Sequence, residues 1–267
     1  MPNPAAPAPP GDQPFDLCIV IPAFREARRI GPFLTELLAL IEREPLRIQV
    51  LVVDDGSGEE EVKALRAVLA PLQLKHPHSL GVLELPRNLG KGGAIKAGWD
   101  AAPGSSCLAF ADADGSITAR EVVRLGRMAW SRRADGRTLF SSRVRLLGKR
   151  IECSRFRRIS GRIFSVLVGV ITGTGVYDSQ CGCKFVPAAI YQRVRPVLRE
   201  NGFVFDVELM LAILRAGCTI DEVPIDWHAT PGSKVSFVSD TIKMLRGTFA
   251  IRRRARSWVF TPRLGEK

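Results

Sequence analysis

Short apolar runs punctuate the first half of the chain, and each is followed by a stretch with helical spacing. Leu17–Ile21 (LCIVI) runs into Pro22 and then an amphipathic segment from about Glu26 to Arg43. Gln49–Val53 (QVLVV) ends in DDGSG and leads to helical spacing over Glu59–Leu69. Gly81–Leu85 is a weaker strand before the helical Gly92–Ala101; Cys107–Ala111 (CLAFA) precedes a helix over Thr118–Trp130, and Thr138–Ser142 is a fifth strand. Strands that are apolar throughout, rather than alternating, are covered on both faces. Their alternation with helices predicts an α/β fold on a central, mostly parallel sheet. Ligands of such sheets bind beyond the carboxyl ends of the strands. Pro22, Asp54, Asp55, Asp112 and Asp114 all fall there.

The second half is less regular. Phe156–Ile171 reads as a helix with a basic start and an apolar finish, Phe205–Ala216 as an amphipathic helix closed by Gly217, and Thr219–Pro224 as a strand. HATPGSK follows as a loop, and Thr241–Arg254 is a last helix with basic residues along it. The first fourteen residues, rich in Pro and Ala, predict a disordered tail and lack the basic and apolar regions of a signal peptide. No uninterrupted apolar run reaches the ~18 to 20 residues of a spanning helix, and the chain has no internal repeat.

Charge changes the picture. The 267 residues carry a net charge of +12. From Arg143 to Arg162 eight Lys/Arg face the single acid Glu152, and Lys243–Arg256 holds six basic residues and no acid. Such a surface expects an anionic partner: lipid headgroups, phosphorylated substrates or nucleic acid. Aromatic residues make up only 7% of the chain and no RNA-binding signature is present, which ranks nucleic acid last. Basic and apolar residues occur together in 156–171, so Phe164, Val166, Leu167, Val168 and Val170 are expected in a membrane interface; the alternative packs them on the core or on a second copy of the chain in a homo-oligomer. Six cysteines with one CxC and no CxxC indicate reduced thiols in a cytoplasmic protein. His76 and His78 flank Pro77 in an expected exposed loop.

The candidate chemistry centres on Asp112 and Asp114 in DADGS. The two-residue period of a strand puts them on one side. Like charges this close raise a pKa unless a cation intervenes, and hard divalent ions, Mg2+ or Mn2+, suit carboxylates plus substrate phosphates. A lone DxD is equally an Asp-Gly turn. Its place behind CLAFA, with Asp54-Asp55-Gly56-Ser57 behind the other strongly apolar run, favours the metal. The DDGS carboxylates either cap a turn or accept hydrogen bonds from a base or ribose. Leu89–Gly98 (LGKGGAIKAG) fails the P-loop pattern because Gly92 follows Lys91. Two readings of its glycines stay open: backbone N–H groups offered to an anion, or close backbone packing.

IPAFREARRI, VVDDGS, NLGKGGAIKAG and DADGS, in that order, resemble the family 2 glycosyltransferases of GT-A fold. DSQCGCKF (178–185), FVFDVELM (203–210) and EVPIDWHATPGSKV (222–235) are similar to the dolichyl-phosphate glucosyltransferases and, more distantly, to the dolichol-phosphate mannose synthases. The resemblance covers about residues 17 to 245. It implies a nucleotide-binding half over 15–142, an acceptor half over 143–245 and a basic extension over 246–267. By motif, Pro22, Phe24, Glu26, Val53 and Asp55 line the nucleotide pocket with Asp54 close by, and Lys91 joins the donor-binding residues. Asp112, Ala113 and Asp114 bind the metal and diphosphate, Arg143 approaches the sugar or phosphates, and Lys234 closes over the diphosphate. Asp178 is a base or an acceptor-positioning residue, and His228 stands where the mannose synthases carry Arg. Phe24 replaces a usual Tyr, and Cys183 a usual Phe.

The implied reaction moves a hexose, glucose from UDP-glucose, onto a polyprenyl phosphate with inversion, catalysed by a peripheral protein on the cytoplasmic membrane face. GDP-mannose as donor, a soluble acceptor such as a phosphorylated glycerate, and a non-catalytic nucleotide-sugar-binding module are the alternatives. A phosphate monoester with a second pKa of about 6 is largely dianionic at neutral pH and hardly needs a general base.

Overall fold

The structure, a computed structural model, describes residues 14–144, 150–152, 155–230 and 237–260. Its centre is a seven-stranded sheet. β1 (Leu17–Ala23) runs parallel to β2 (Ile48–Asp54) on one side and β4 (Cys107–Ala111) on the other, and β2 pairs with β3 (Leu80–Glu84). Beyond β4 the order continues β7 (Cys183–Pro187), β5 (Arg137–Ser142), β8 (Thr219–Pro224). β7 is antiparallel to both its neighbours, whereas β5 and β8 are parallel to each other. The sheet is therefore mostly parallel, as the patterning predicts, with one reversed strand that the patterning does not reveal.

The all-apolar strands are explained by two cores. Leu17, Ile19 and Ile21 of β1 point to a cluster with α1 (Ala27–Ile41), α2 (Glu59–Lys75) and α4 (Ala119–Arg132). Cys18 and Val20 point to the opposite cluster, with α3 (Lys91–Asp100), α5 (Arg155–Thr172), α6 (Ala188–Val194), α7 (Phe205–Arg215) and α8 (Phe237–Arg254). Each strand thus buries both faces, which only apolar side chains allow without uncompensated polar groups. A second, two-stranded sheet pairs β6 (Ile151–Glu152) with β9 (Trp227–His228).

Several expectations are refined. β5, β7 and β8 complete the sheet begun by β1–β4, so the two halves share one scaffold. The expected boundary at residue 245 falls inside α8, whose Ile251 is buried in the second core. His76 is not in an exposed loop: its ring is buried, with Nδ1 2.6 Å from Glu42 Oε1. The five described cysteines are free and buried. Burial pushes the thiols of Cys18, Cys107 and Cys181 up to about 12, so they are packing residues and not nucleophiles.

The expected membrane stripe divides. Phe164 and Val168 belong to the second core, which corrects their placement in an interface. Ile163, Val166, Leu167 and Val170 are exposed instead, at the i, i+3, i+4, i+7 spacing of one helix face. Among the described residues, no helix is long and apolar enough to cross a membrane.

Candidate active site

The carboxyl ends of β1, β2 and β4 bring the predicted residues together. Pro22 lies in register with Val53, and Ala23 with Asp54. Arg25 turns the chain through a left-handed conformation, φ 56°, and donates its N–H to Ser57 Oγ at 2.8 Å. The Arg25 guanidinium sits 5.1 Å from the Phe24 ring centre, and Glu26 pairs with Arg29 at 2.6 Å. Asp54 accepts from the Ser57 N–H at 3.0 Å through Oδ2, while its buried Oδ1 has no partner.

Asp55 resolves the glycine-rich segment. Its carboxylate accepts from the Leu89 N–H at 2.7 Å and the Gly90 N–H at 2.8 Å. Burial pushes the Asp55 carboxyl up, and these two donors oppose the push. The Gly93 N–H is taken by the Asn201 carbonyl at 3.0 Å, and a β-carbon at Gly92 would lie 2.3 Å from Phe205 Cβ. The N–H groups of Leu89, Gly90 and Gly93 are thus engaged and Gly92 admits α7, so close packing accounts for these glycines.

Behind the DxD runs a line of alternating charges. Asp112 donates its N–H to the Gly182 carbonyl at 2.9 Å. Lys91 Nζ lies 2.8 Å from Asp112 Oδ1 and 3.6 Å from Asp206 Oδ2, with the Phe110 ring centre 5.1 Å away. Asp206 is also paired with Lys184, which is 0% exposed, donates to the Cys181 carbonyl at 2.8 Å and lies over Phe110 and Phe140. Burial disfavours the charge on Lys91, but Asp112 and Asp206 outweigh it and hold the ammonium pKa above its ordinary value. Burial raises the Asp112 carboxyl; Lys91 offsets part of the rise, while Asp114 and Asp206 add to it.

Asp114 sits in the turn that follows, where Gly115 has φ 68°. Its Oδ1 accepts from the Ser116 N–H at 3.0 Å, and its carbonyl accepts from Thr230 Oγ1 at 3.2 Å. β9 covers this turn: Trp227 bridges Ile117, and the His228 N–H donates to the Ser116 carbonyl at 3.0 Å. Ala113 is buried between the two aspartates, and the His228 side chain is exposed. Lys234 lies outside the described residues.

Arg143 and Asp178 form the other wall. Nε and Nη2 of Arg143 each donate to Asp178 at 2.8 Å, and the Arg143 N–H donates at 2.9 Å. The guanidinium also lies 5.6 Å from the Trp227 ring centre. Burial alone would raise the Asp178 carboxyl, but the Arg143 charge and hydrogen bonds hold it below the usual range. Glu222 fixes this corner from β8, accepting from the N–H groups of Tyr177 at 2.7 Å and Asp178 at 2.8 Å.

Sequence reasoning missed Glu222, Lys184 and Asp206 as site residues. For the last two a signal existed: Lys184 is a lone charge in the apolar CKFV, and Asp206 shares the apolar VFDVELM with Glu208 alone.

Comparison with known proteins fixes the family. The model of "Glycosyl transferase family 2" matches residues 18–128. The dolichyl-phosphate beta-glucosyltransferase of Drosophila melanogaster is 32% identical over 248 residues, 89% of this chain and 74% of that one. The chain is a family 2 glycosyltransferase. The dolichyl-phosphate beta-glucosyltransferase of Saccharomyces cerevisiae is 29% identical over 253 residues, 90% of this glycosyltransferase and 75% of the yeast protein. Among solved structures, glucosyl-3-phosphoglycerate synthase from Mycobacterium tuberculosis in complex with UDP superposes with a TM-score of 0.64 at 16% identity, covering 90% of this chain and 80% of that one. Mannosyl-3-phosphoglycerate synthase from Rubrobacter xylanophilus gives 0.62 at 18%, with 94% and 79% covered. At these identities the likeness establishes the GT-A-like fold alone.

The glycosyltransferase site fits a divalent ion of one kind. Among the described residues, no group of three or more His, Cys, Asp and Glu could enclose a metal. Asp112 and Asp114 offer hard oxygen donors, and the Asp112 side chain is 34% exposed. Two carboxylates suit an ion shared with phosphate oxygens, not a resident structural metal.

Proposed function

We propose that this glycosyltransferase moves glucose from UDP-glucose to a polyprenyl, dolichyl-type phosphate with inversion at the sugar carbon, and does so docked on an anionic membrane surface. The observation that carries the reading is the placement of the DADGS carboxylates, with Lys91 behind them, opposite the Arg143–Asp178 pair across the strand ends. The names of the relatives supply the substrate class.

Breaking a glycosyl–phosphate bond builds negative charge on the departing diphosphate. Mg2+ or Mn2+ held by Asp112 and Asp114 supplies positive charge there when bound. Pro22, Phe24, Glu26 and Val53 line the nucleoside side at the ends of β1 and β2. Asp54 and Asp55 hold the turns that shape that side, through Ser57 and through Leu89 and Gly90. His228 lies on β9, and its N–H holds the Ser116 carbonyl beside DADGS, a position suited to covering the diphosphate; the family resemblance assigns Lys234 the same task. On the acceptor side Arg143 presents its guanidinium, and Asp178 orients it. Asp178 already accepts from Arg143 and from the Gln180 N–H at 3.3 Å, which suits a positioning role and leaves proton abstraction unneeded for a dianionic phosphate.

The exposed face Ile163, Val166, Leu167 and Val170, with the exposed Arg162 on α5, Arg252 and Arg253 in the last turn of α8 and Arg256 just after it, supports peripheral docking on anionic lipid. The five cysteines among the described residues, all free, agree with the reducing, cytoplasmic side.

The test is transfer of labelled glucose from UDP-glucose in the presence of Mn2+ and either dolichyl phosphate or 3-phosphoglycerate, with GDP-mannose in parallel. Label entering the organic phase from UDP-glucose supports the reading. Label entering only the water-soluble ester, or only from GDP-mannose, replaces it by a soluble acceptor or by mannosyl transfer.

A further inference from the structure

The line Asp112–Lys91–Asp206–Lys184 contains more charge than the reaction asks for. Its inner members are shut away: Lys184 is fully buried and Asp206 nearly so. The Lys91 side chain is 13% exposed, and its ammonium lies 5.1 Å from the Phe110 ring centre. Asp112 alone reaches the cleft. Lys91 therefore serves two carboxylates, the closer at 2.8 Å through the oxygen of Asp112 and the farther at 3.6 Å in Asp206.

An ammonium at hydrogen-bond distance gives Asp112 Oδ1 the positive charge that a divalent ion would otherwise give it. An ion approaching before any nucleotide meets a neutralised carboxylate and a fixed like charge beside it. A diphosphate changes the balance, because its negative oxygens compensate the ammonium and the ion together.

We propose that Lys91 is a built-in counter-cation for Asp112, which makes divalent-ion binding at DADGS depend on the donor's diphosphate. Asp206 is the positioning residue that shares Lys91 and so sets how firmly the ammonium holds Asp112. The inference rests on the reading of Asp112 and Asp114 as the donor's metal platform. It adds an order to that reading: the diphosphate is required for tight metal binding, not merely accompanied by it.

The test measures Mn2+ binding directly, by the electron paramagnetic resonance signal of free Mn2+, on the full chain with and without saturating UDP. No turnover is involved. The parent protein is expected to bind Mn2+ roughly tenfold or more tightly with UDP than without it, within the usual range of site-to-site coupling. Lys91→Met keeps an unbranched side chain of similar length and removes the charge. It should tighten UDP-free Mn2+ binding several-fold and so shrink the dependence on UDP, leaving only the part that the phosphate oxygens contribute as ligands. Asp206→Asn leaves Lys91 to Asp112 alone and should weaken UDP-free binding, while the double variant should follow Lys91→Met. A purely structural lysine predicts the opposite sign for Lys91→Met, weaker binding in every state.

Equal Mn2+ affinity of the parent with and without UDP overturns the proposal and needs no variant to fold. So does a folded Lys91→Met protein that binds UDP-free Mn2+ no tighter than the parent. If UDP and Mn2+ fail to bind the parent in any combination, the donor reading itself fails and this inference with it. Binding of both without coupling sinks the inference and leaves the donor reading intact.

Discussion

Gly182 lies so close to Asp112 that a β-carbon built on it would fall 1.9 Å from Oδ2 of the carboxylate. The same glycine holds the Asp112 N–H through its carbonyl, at 2.9 Å. Backbone and carboxylate are thus positioned by one residue from β7's approach, and only a hydrogen side chain fits between them. Gly182→Ala should push the Asp112 carboxylate out of place with little loss of core packing. A displacement of about 1 Å near the reacting groups costs on the order of 100-fold in rate. A fall of that size in kcat/KM is expected for Gly182→Ala, with weakened Mn2+–UDP binding by titration. Gly175→Ala, where nothing lies within 4 Å, is the control and should keep parental turnover.

The Arg143–Asp178 pair makes a prediction with a definite pH window. The carboxyl pKa is lowered in the folded chain, so the pair's contribution is present at and above the ordinary carboxylate range and is lost as pH falls through the lowered value. Asp178→Asn should cost about 3 kcal/mol, the low end for a buried pair because Arg143 keeps some contact with solvent. Denaturant titrations should show that difference constant from about pH 8 to pH 5 and shrinking only below about pH 4. The acid limb of the pH–rate profile above pH 5 should not move in this variant. A limb that disappears would make Asp178 the base after all.

Glu222 is expected to act on the same corner without touching a substrate. Its two oxygens hold the N–H groups of Tyr177 and Asp178. Glu222→Ala leaves both donors without that acceptor, at about 1–3 kcal/mol each where water cannot replace it. Amide exchange at Tyr177 and Asp178 should speed up far more than in β1. Activity should fall through Asp178 and Arg143, while UDP binding stays near the parental value.

What the sequence made legible follows from range. β1, β2 and β4 are continuous apolar runs with turn residues at their ends, so Asp54, Asp55, Asp112 and Asp114 were placed by local pattern alone. β7 was hidden because CKFVP carries Lys184 as its second residue and ends in Pro187, and a charge and a proline in so short a run do not read as a buried strand. That charge is tolerated because Asp206, from α7, neutralises it across the second core. Lys91 stood out in the glycine-rich segment, but its partner did not. Nothing local ties residue 91 to residue 112; α3 meets the end of β4 only because Gly92 and Gly98 let it settle against Phe205 and Val20. Likewise the apolar residues of 156–171 were evident, but which of them face the core depends on where α8 lies.

That division of α5 supplies the sharpest test of membrane docking. Val168 and Val170 are two residues apart on one helix; the first is 1% exposed and packed in the second core, the second 72% exposed. Their substitution by aspartate should therefore separate folding from docking. Val168→Asp buries an unpaired carboxylate and should cost several kcal/mol, enough to unfold a domain of ordinary stability. Val170→Asp, alone or with Val166→Asp, should stay within about 0.5 kcal/mol of the parent in denaturant. On vesicles containing anionic lipid it should nonetheless bind more weakly, because it removes buried apolar area and adds charge of the same sign as the headgroups. Binding of the parent should also weaken as salt rises, since the arginines at the end of α8 act over about 8–10 Å at physiological ionic strength. Sedimentation with vesicles reads both effects. Parental binding by a folded Val166→Asp/Val170→Asp protein would assign this face to another partner and leave the arginines as the only membrane contact.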